Sequence, residues 1–421
     1  MTSTSLDTNA LADHLFRREA GKMVAALTRL FGPRYLELAE DVVQETLLKA
    51  LKDWPFRGVP DQPAAWLHRV ARNLAIDHLR RHARGLELLK ENAALLRSEW
   101  TLSLTVNSTL DEATINDDQL RMMFACCHPT LPAEQQVALA LKTLCGFGVP
   151  EIARAFLTNE ETINKRLYRA REAFRKLGRL DLPAHNDLPA RLGQVLSTIY
   201  LLFNEGYKAA RHRDLVREDL IEEALRLCRL LLDNPSTALP NVHALMALMV
   251  YHAARSDARV DTHGEIILLQ DQDRSLWDRE LIALANHHLD QASLSDRSTS
   301  YPLEAAIAAS HANAPTYADT DWTGIIRLYD ELFRRNPSPI VALNRAIAFA
   351  ERDGADRGLQ ALTLITGLEE HHLFHAVRGE LMIRTGDHAG AHLALEQALL
   401  FTDSPAERHL LEQKLARLTK G

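Results

Sequence analysis

The chain has almost no runs in which β-branched residues alternate with polar ones, and this absence argues against sheet architectures. Nowhere do 18 apolar residues follow one another, so no membrane span is expected. The start, MTSTSLDTNALADHLFRREAG, lacks a basic patch followed by a long apolar stretch. A secretory leader is therefore not expected, and the cytoplasm is. Only four cysteines occur (Cys126, Cys127, Cys145 and Cys228), at no repeated spacing, which argues against a disulfide framework and for reduced thiols. Cys126-Cys127-His128 with Cys145 lacks the second paired motif of a tetrahedral zinc site, so buried structural thiols are expected and neither metal nor cofactor is. No phosphate loop and no nucleophile facing a histidine is recognisable, so enzymatic activity is not expected.

What is present reads as helix nearly throughout. Apolar residues recur at spacings of three and four in Leu38, Val42, Leu47 and Leu51, in Leu67, Val70 and Leu74, and in Val137, Leu141 and Leu144. The one strand-like patch is Glu265 to Leu269. Gly58 to Pro63, Ser98 to Asp118 and Pro183 to Leu188 read as loops or linkers. At 421 residues the chain is long enough for two to four domains. Its net charge of −7 is unevenly spread: residues 1–180 hold 25 Lys and Arg against 22 Asp and Glu (+3), and residues 181–421 hold 24 against 34 (−10). A local basic patch in the first half is compatible with a phosphate backbone, whereas the acidic half is not the side that faces one.

Three segments of the first half carry chemistry. "EIARAFLTNEETINKRLYRAREAFRKL", from Glu151, predicts a short helix, a turn capped by Thr158 and Asn159, and a second helix. Small Ala153 and apolar Ile163 stand where a helix-turn-helix packs closely, and Thr162, Asn164, Lys165, Arg166 and Arg169 would face a major groove. Leu157 occupies a turn position often taken by Gly, and a helical hairpin with a solvated basic face is the alternative. "AAWLHRVARNLAIDHLRRHAR" (64–84) sets a spine of Trp66, Leu67, Val70, Leu74, Ile76 and Leu79 among Arg69, Arg72, Asn73, Arg80, Arg81 and Arg84. Such a helix can stack on unpaired bases, or can be a core helix with an arginine rim. "AEDVVQETLLKALKDW" (39–54) has an acidic and amide edge, Glu40, Asp41, Gln44 and Glu45. That edge suits a basic protein partner, or else only solvent.

In this order the segments resemble a bacterial extracytoplasmic-function sigma factor: "DVVQE" and "AWLHRVARNLAIDHLRR" are similar to its region 2, and "EIARAF" with "TINKRLYRARE" to its region 4. "FACCHPTLPAEQQVALALKTLCGFGVPEIARAFL", "LLFNEGY", "LLQDQDRSLWD", "AAIAASHA", "TDWTGIIRLYDEL" and "ALNRAIA" resemble one subgroup, whose members append a helical half with tetratricopeptide-like repeats. The resemblance implies an all-α fold with region 2 at 10–85, a linker at 86–118 threading toward the RNA exit channel, and region 4 at 119–180. It further implies a helical middle domain at 187–295 and repeats at 300–416. Core RNA polymerase and promoter DNA are the implied partners, and a cytoplasmic protein or ligand is expected at the repeats. Asp41, Gln44 and Glu45 would meet the clamp helices of the largest polymerase subunit, and the polymerase flap is a further implied contact. Trp66, Arg69, Arg72, Asn73, Arg80 and Arg81, with the Phe56–Gln62 loop, would engage and help melt the minus-ten element. Thr162, Asn164, Lys165, Arg166 and Arg169 would read the minus-thirty-five element.

The second half shows a repeat of its own. Ala346, Gly358, Leu362 and Ile365 recur 33 residues later as Gly379, Ala391, Leu395 and Ala398, a period near that of tetratricopeptide units. "DQDRSLWD" (271–278) is expected to form a structural or interdomain ion-pair knot. A one-component regulator with a repeat sensor is the alternative reading, and it leaves both helices of 39–84 without a purpose.

Overall fold

The structure is a computed structural model that describes residues 3–83, 112–156, 158–177, 180, 182–183, 187–209, 215–259, 261, 265–292, 299–402 and 404–418. Among them the regular elements are all helical. They fall into two compact units, Met1–Glu205 and Gly206–Gly421. No described helix is long and apolar enough to cross a membrane.

In the first unit α1 (Ser3–Phe31), α2 (Leu36–Arg57) and α3 (Pro63–Ala83) pack together. The buried stripe of α3 is Leu67, Ala71, Leu74 and Ala75, at spacings of three and four, while Trp66, Val70 and Ile76 are only half-buried on its flanks. Burial would raise the Glu19 carboxyl, but His68 of α3 (2.8 Å) and Lys22 (2.9 Å) hold it down to about 2, so α1 is tied to α3 by an ionised carboxylate.

A second group follows: α4 (Glu112–Cys126), α5 (Ala133–Thr143), α6 (Val149–Ala155) and α7 (Glu160–Arg175). The expected linker to residue 118 is therefore helical from Glu112 on. Asp118 is buried, accepts from Arg29 of α1 at 2.6 Å, and precedes the buried Leu120, Met122 and Met123. The segment is helical because it has a partner to pack on, which its polar composition hid. Gly21 of α1 is needed for that packing, because a Cβ there would stand 1.9 Å from the Leu144 carbonyl oxygen. Then α8 (Leu188–Ala209) begins, and its first turns lie on this group through Arg191 to the Phe124 carbonyl (2.6 Å) and Gln194 and Thr198 to Gln136 Oε1 (2.9 and 3.1 Å). All four cysteines are buried and unbridged, and burial pushes the Cys127 thiol up to about 12. No group of three His, Cys, Asp or Glu among the described residues is placed to hold a metal ion.

The second unit runs through α9 (Leu215–Leu232), α10 (Pro240–Ala253), α11 (Arg279–Gln291), α12 (Tyr301–Ala312), α13 (Trp322–Arg335), α14 (Pro339–Asp353), α15 (Ala355–Leu362), α16 (His372–Thr385), α17 (His388–Phe401) and α18 (Pro405–Leu418). The strand expected at Glu265–Leu269 reduces to one bridge, with Asp261 N donating to Glu265 O (2.9 Å) and Ile267 N to Arg259 O (2.8 Å), followed by a 3-10 turn at Leu269–Asp271. A lone pair of extended segments with no sheet to join does not grow into strands. The "DQDRSLWD" segment is no ion-pair knot. Asp273 and Asp278 cap the turn and helix after them, and buried Arg274 donates to the carbonyls of His311 (2.6 Å) and Ala314 (2.7 Å) with its guanidinium 4.5 Å from the Trp277 ring.

From α13 on, each helix packs on the next, and α16 and α17 form a hairpin turned at Gly386 (φ 81°) with Asp387 capping Gly390 N. The repeated small residues mark close approaches. A Cβ on Gly358 would lie 2.5 Å from the Ala350 Cβ and 2.9 Å from Leu381 Cδ1, and one on Gly379 would lie 2.9 Å from the Leu395 side chain. Gly358→Ala is accordingly expected to destabilise the second unit by about 1–3 kcal/mol through overpacking. Denaturant unfolding of this variant should show the midpoint lowered with an unchanged slope.

Candidate nucleic-acid interface

The turn between α6 and α7 forms because Asn159 is extended and its side chain accepts from Thr162 N at 2.8 Å, satisfying one of the first free amides of α7. Glu151 does the same for Gly148 N at 2.6 Å ahead of α6. Ile152 and Ala153 of α6 and Ile163, Leu167, Ala170 and Phe174 of α7 are buried, so the two helices share one core. Leu157 lies outside the described residues. The opposite face of α7 carries exposed Asn164, Lys165 and Arg169, with Thr162 and Arg166 half-exposed at its edges. Lys165 pairs with Glu161 on its own helix (2.6 Å), and Arg166 with the exposed Glu134 of α5 (2.6 Å). Both pairs are open to solvent, so each costs little to exchange for a phosphate. Tyr168, 67% exposed, shares the face of Asn164 and Lys165, although the sequence reading passed over it. It lies three and four residues after Lys165 and Asn164, and that spacing could have found it.

The basic residues at the end of α7 face elsewhere. Arg171 pairs with Glu40 of α2 at 2.8 Å, and Arg175 with Glu37 of α2 at 2.6 Å and Glu172 at 2.6 Å. Thus Glu40, which the sequence places with the partner-facing edge of α2, is buried against α7. Burial raises its carboxyl pKa in spite of Arg171 and Lys142.

The outer face of α2 retains Asp41, Gln44 and Glu45, all exposed, with His78 of α3 3.6 Å from Glu45. Leu51, one of the apolar residues of the helical period, is 58% exposed, and Leu48 54%. The buried stripe is instead Leu36, Ala39, Val42, Val43, Thr46, Ala50 and Trp54. Residues 41, 44, 45, 48 and 51 recur at three and four, so carboxylates and leucines share one open face of the helix. The leucines were missed because a β- or helix-period count assigns apolar residues to the core by default.

Trp66 sits at the start of α3 edge-on to Trp54 (5.6 Å, 62°), which itself meets Phe16 (5.2 Å). Between Trp66, Trp54 and the 57–61 loop opens a hollow of about 260 Å³, edged by Asp53, Arg57 and Asp61. Phe56 beside it is 90% exposed. Arg69 and Asn73 are exposed one and two turns along α3, and the Arg72 guanidinium lies 3.4 Å from Asn73 Oδ1. The side chains of Arg80 and Arg81 lie outside the described residues. The structure thus brings Trp66, Arg69 and Asn73 to one end and face of α3, and the α7 set to a separate surface.

Comparison with known proteins agrees with this division. Residues 15–85 match the Sigma-70 region 2 family, residues 121–174 match Sigma-70, region 4, and residues 191–293 match a family of unknown function. An uncharacterized protein of Rhizobium meliloti (strain 1021) is 40% identical over 94% of this chain and 93% of its own length. The ECF RNA polymerase sigma factor SigL of Mycobacterium tuberculosis is 34% identical over 32% of this chain and 72% of its own length. The ECF RNA polymerase sigma factor SigG of the same species is 29% identical over 49% of this chain and 59% of its own length. No solved structure matches. With a region 2 bundle, a region 4 helix-turn-helix and relatives of this kind, the chain belongs to the ECF RNA polymerase sigma factors.

Proposed function

We propose that this sigma factor directs its polymerase through three surfaces, and that region 2 and region 4 must part for it to do so. The observation that carries the reading is the open face of α2, where Asp41, Gln44 and Glu45 lie beside exposed Leu48 and Leu51. An acidic edge with an apolar strip suits an amphipathic helix bearing basic residues, and the clamp helices of the largest polymerase subunit are such a partner. The hollow beside Trp66 has room for one unstacked base, with Arg69, Arg72 and Asn73 along the backbone path, and is the proposed minus-ten site. Asn164, Lys165, Arg166 and Arg169 on α7, with Thr162 at its start, read the minus-thirty-five element in the major groove. Region 2 over 10–85, region 4 over 119–180, the middle domain over 187–295 and tetratricopeptide-like repeats over 300–416 are the proposed divisions. The chain works where the polymerase is, in the cytoplasm, and the second half controls or supports the first.

Two elements named minus ten and minus thirty-five stand roughly 25 base pairs apart, about 85 Å along the duplex at 3.4 Å per base pair. A compact body of about 200 residues has a radius of gyration of about 17 Å and cannot reach both. Engagement of both elements therefore needs α7 to leave α2, breaking Arg171–Glu40 and Arg175–Glu37.

The polymerase assignment is tested by reversing Asp41 and Glu45 to Lys, which should weaken core-polymerase binding about tenfold or more while the circular dichroism of the chain stays unchanged. Unchanged affinity in well-folded protein would sink it. On α7, Arg169→Ala should weaken promoter binding at every sequence and lower the salt slope by about 1, whereas Asn164→Ala should change the ranking of mutated minus-thirty-five elements in run-off transcription. For the separation of the regions, Glu37→Cys with Arg175→Cys, joined by a short cleavable bismaleimide, should abolish promoter-dependent transcription and regain it on cleavage of the linker. Full activity of the linked protein would show that the regions act together in their packed arrangement.

A further inference from the structure

The second unit holds a half-open cavity that nothing in the sigma reading uses. It measures about 390 Å³ and is walled by every second helix of the terminal stack, α14, α16 and α18, with α13 and the Leu268–Gln270 segment closing one end. That volume falls within the range of small-molecule sites. Its sides are chiefly apolar, through Ile325, Ile347, Val377, Leu381 and Leu411.

One end is aromatic. The Trp322 ring meets His311 edge-on (5.3 Å, 70°) and Tyr317 edge-on (5.3 Å, 66°), so these rings brace one another, and Tyr329 adjoins them in the wall. Braced ring walls favour a flat, rigid guest over a flexible chain.

The charged groups in the wall are already engaged. Arg384 is committed to Glu351 and Lys414 to Glu380, and Glu407 accepts from the Thr402 hydroxyl at 3.0 Å. A charged guest would enter an apolar cavity whose counter-charges are committed, and would lose its hydration without a new partner. This argues against nucleotides, phosphorylated sugars and acidic peptides as occupants.

Two polar groups stand at the aromatic end. His311 Nδ1 is buried and has no hydrogen-bond partner among the described residues. Burial and the nearby Arg255 and Arg274 hold this imidazole down to about 4, so it is neutral at physiological pH and can accept or donate one bond. The Tyr329 phenol also lines this end from a half-buried position, and burial pushes that group up, so it stays protonated. A buried polar group without a partner is costly, and a guest with a hydroxyl or carbonyl at its ring end would satisfy it.

From these features we infer that the cavity between α13, α14, α16 and α18 binds an uncharged aromatic molecule bearing a hydroxyl or carbonyl group. Binding itself is independent of the view that the second half controls the sigma regions; only its consequence for transcription rests on that view.

The test uses the full-length chain and the probe 2-naphthol, with 2-naphthoate and 2-naphthyl phosphate as charged counterparts of the same ring. Saturation-transfer NMR and titration should show 2-naphthol bound and both anions at least about tenfold weaker, the discrimination expected for a charge without a counter-ion in an apolar site. Ile347→Trp, which fills the cavity from a half-buried wall position, should abolish binding. Tyr329→Phe, which keeps the ring and removes only the hydroxyl, should weaken it about 3- to 10-fold if the phenol bonds the guest. No binding of 2-naphthol, equal binding of the anions, or binding that survives Ile347→Trp in folded protein overturns the inference. A run-off assay with and without 2-naphthol then separates the two ideas: binding with unchanged transcription leaves the site standing and removes control by the second half.

Discussion

The contact on which the arrangement of the first unit turns is the ion pair between Arg171 of α7 and Glu40 of α2. It joins α7, whose opposite face carries the exposed basic set, to α2, whose opposite face carries Asp41, Gln44 and Glu45. The pair is incompletely satisfied, since Glu40 Oε1 and Arg171 Nε are both buried without hydrogen-bond partners among the described residues. Such half-satisfied networks contribute less than their number of charges suggests. Burial raises the Glu40 pKa, and a carboxyl raised in the folded state favours packing below its ordinary value and loses that contribution as pH rises through the raised one. Burial thus works against the charged form of this carboxyl, and Arg171 offsets it only in part.

Around this junction the division of labour follows from helix geometry. Because α7 buries Ile163, Leu167, Ala170 and Phe174, residues next to that stripe, such as Arg171, are turned toward the protein, and residues opposite it, such as Asn164 and Arg169, are turned out. The same rule splits α2 into an inner edge with Glu37 and Glu40 and an outer face with Asp41, Gln44 and Glu45. One helix thus holds α7 on one side and leaves an acidic face open on the other. The net charge of −7 is no obstacle, because the outward basic set is concentrated on one face and the −10 excess lies beyond residue 180.

The second unit uses a different economy. Gly358 and Gly379 let successive helices approach within a distance no side chain permits, so the stack is tight on its outer seams. Every second helix then lines an interior that is not filled by its own side chains, which is how a stack of helical pairs produces a cavity without strain. Arg274, clamped on the carbonyls of His311 and Ala314, fixes the loop before α13 and with it the aromatic end of that cavity.

Sequence alone determined the all-α class, the helix-turn-helix with its Asn159 cap, the order of region 2 before region 4, and the 33-residue recurrence of small residues. Each of these depends on local spacing, which is written in the chain: helix period, cap chemistry and turn residues act within a few positions. Tertiary structure alone decided which side of α2 and α7 each charge faces, that Leu48 and Leu51 stay outside while Glu40 goes in, and that the polar stretch from Glu112 is a packed helix. It also turned "DQDRSLWD" from an expected ion-pair knot into caps and a carbonyl clamp, because the partners of Arg274 lie 37 and 40 residues away. Those outcomes depend on pairs far apart in sequence, Glu40 with Arg171 or Asp118 with Arg29, and no local pattern reports which distant group will arrive to neutralise a buried charge.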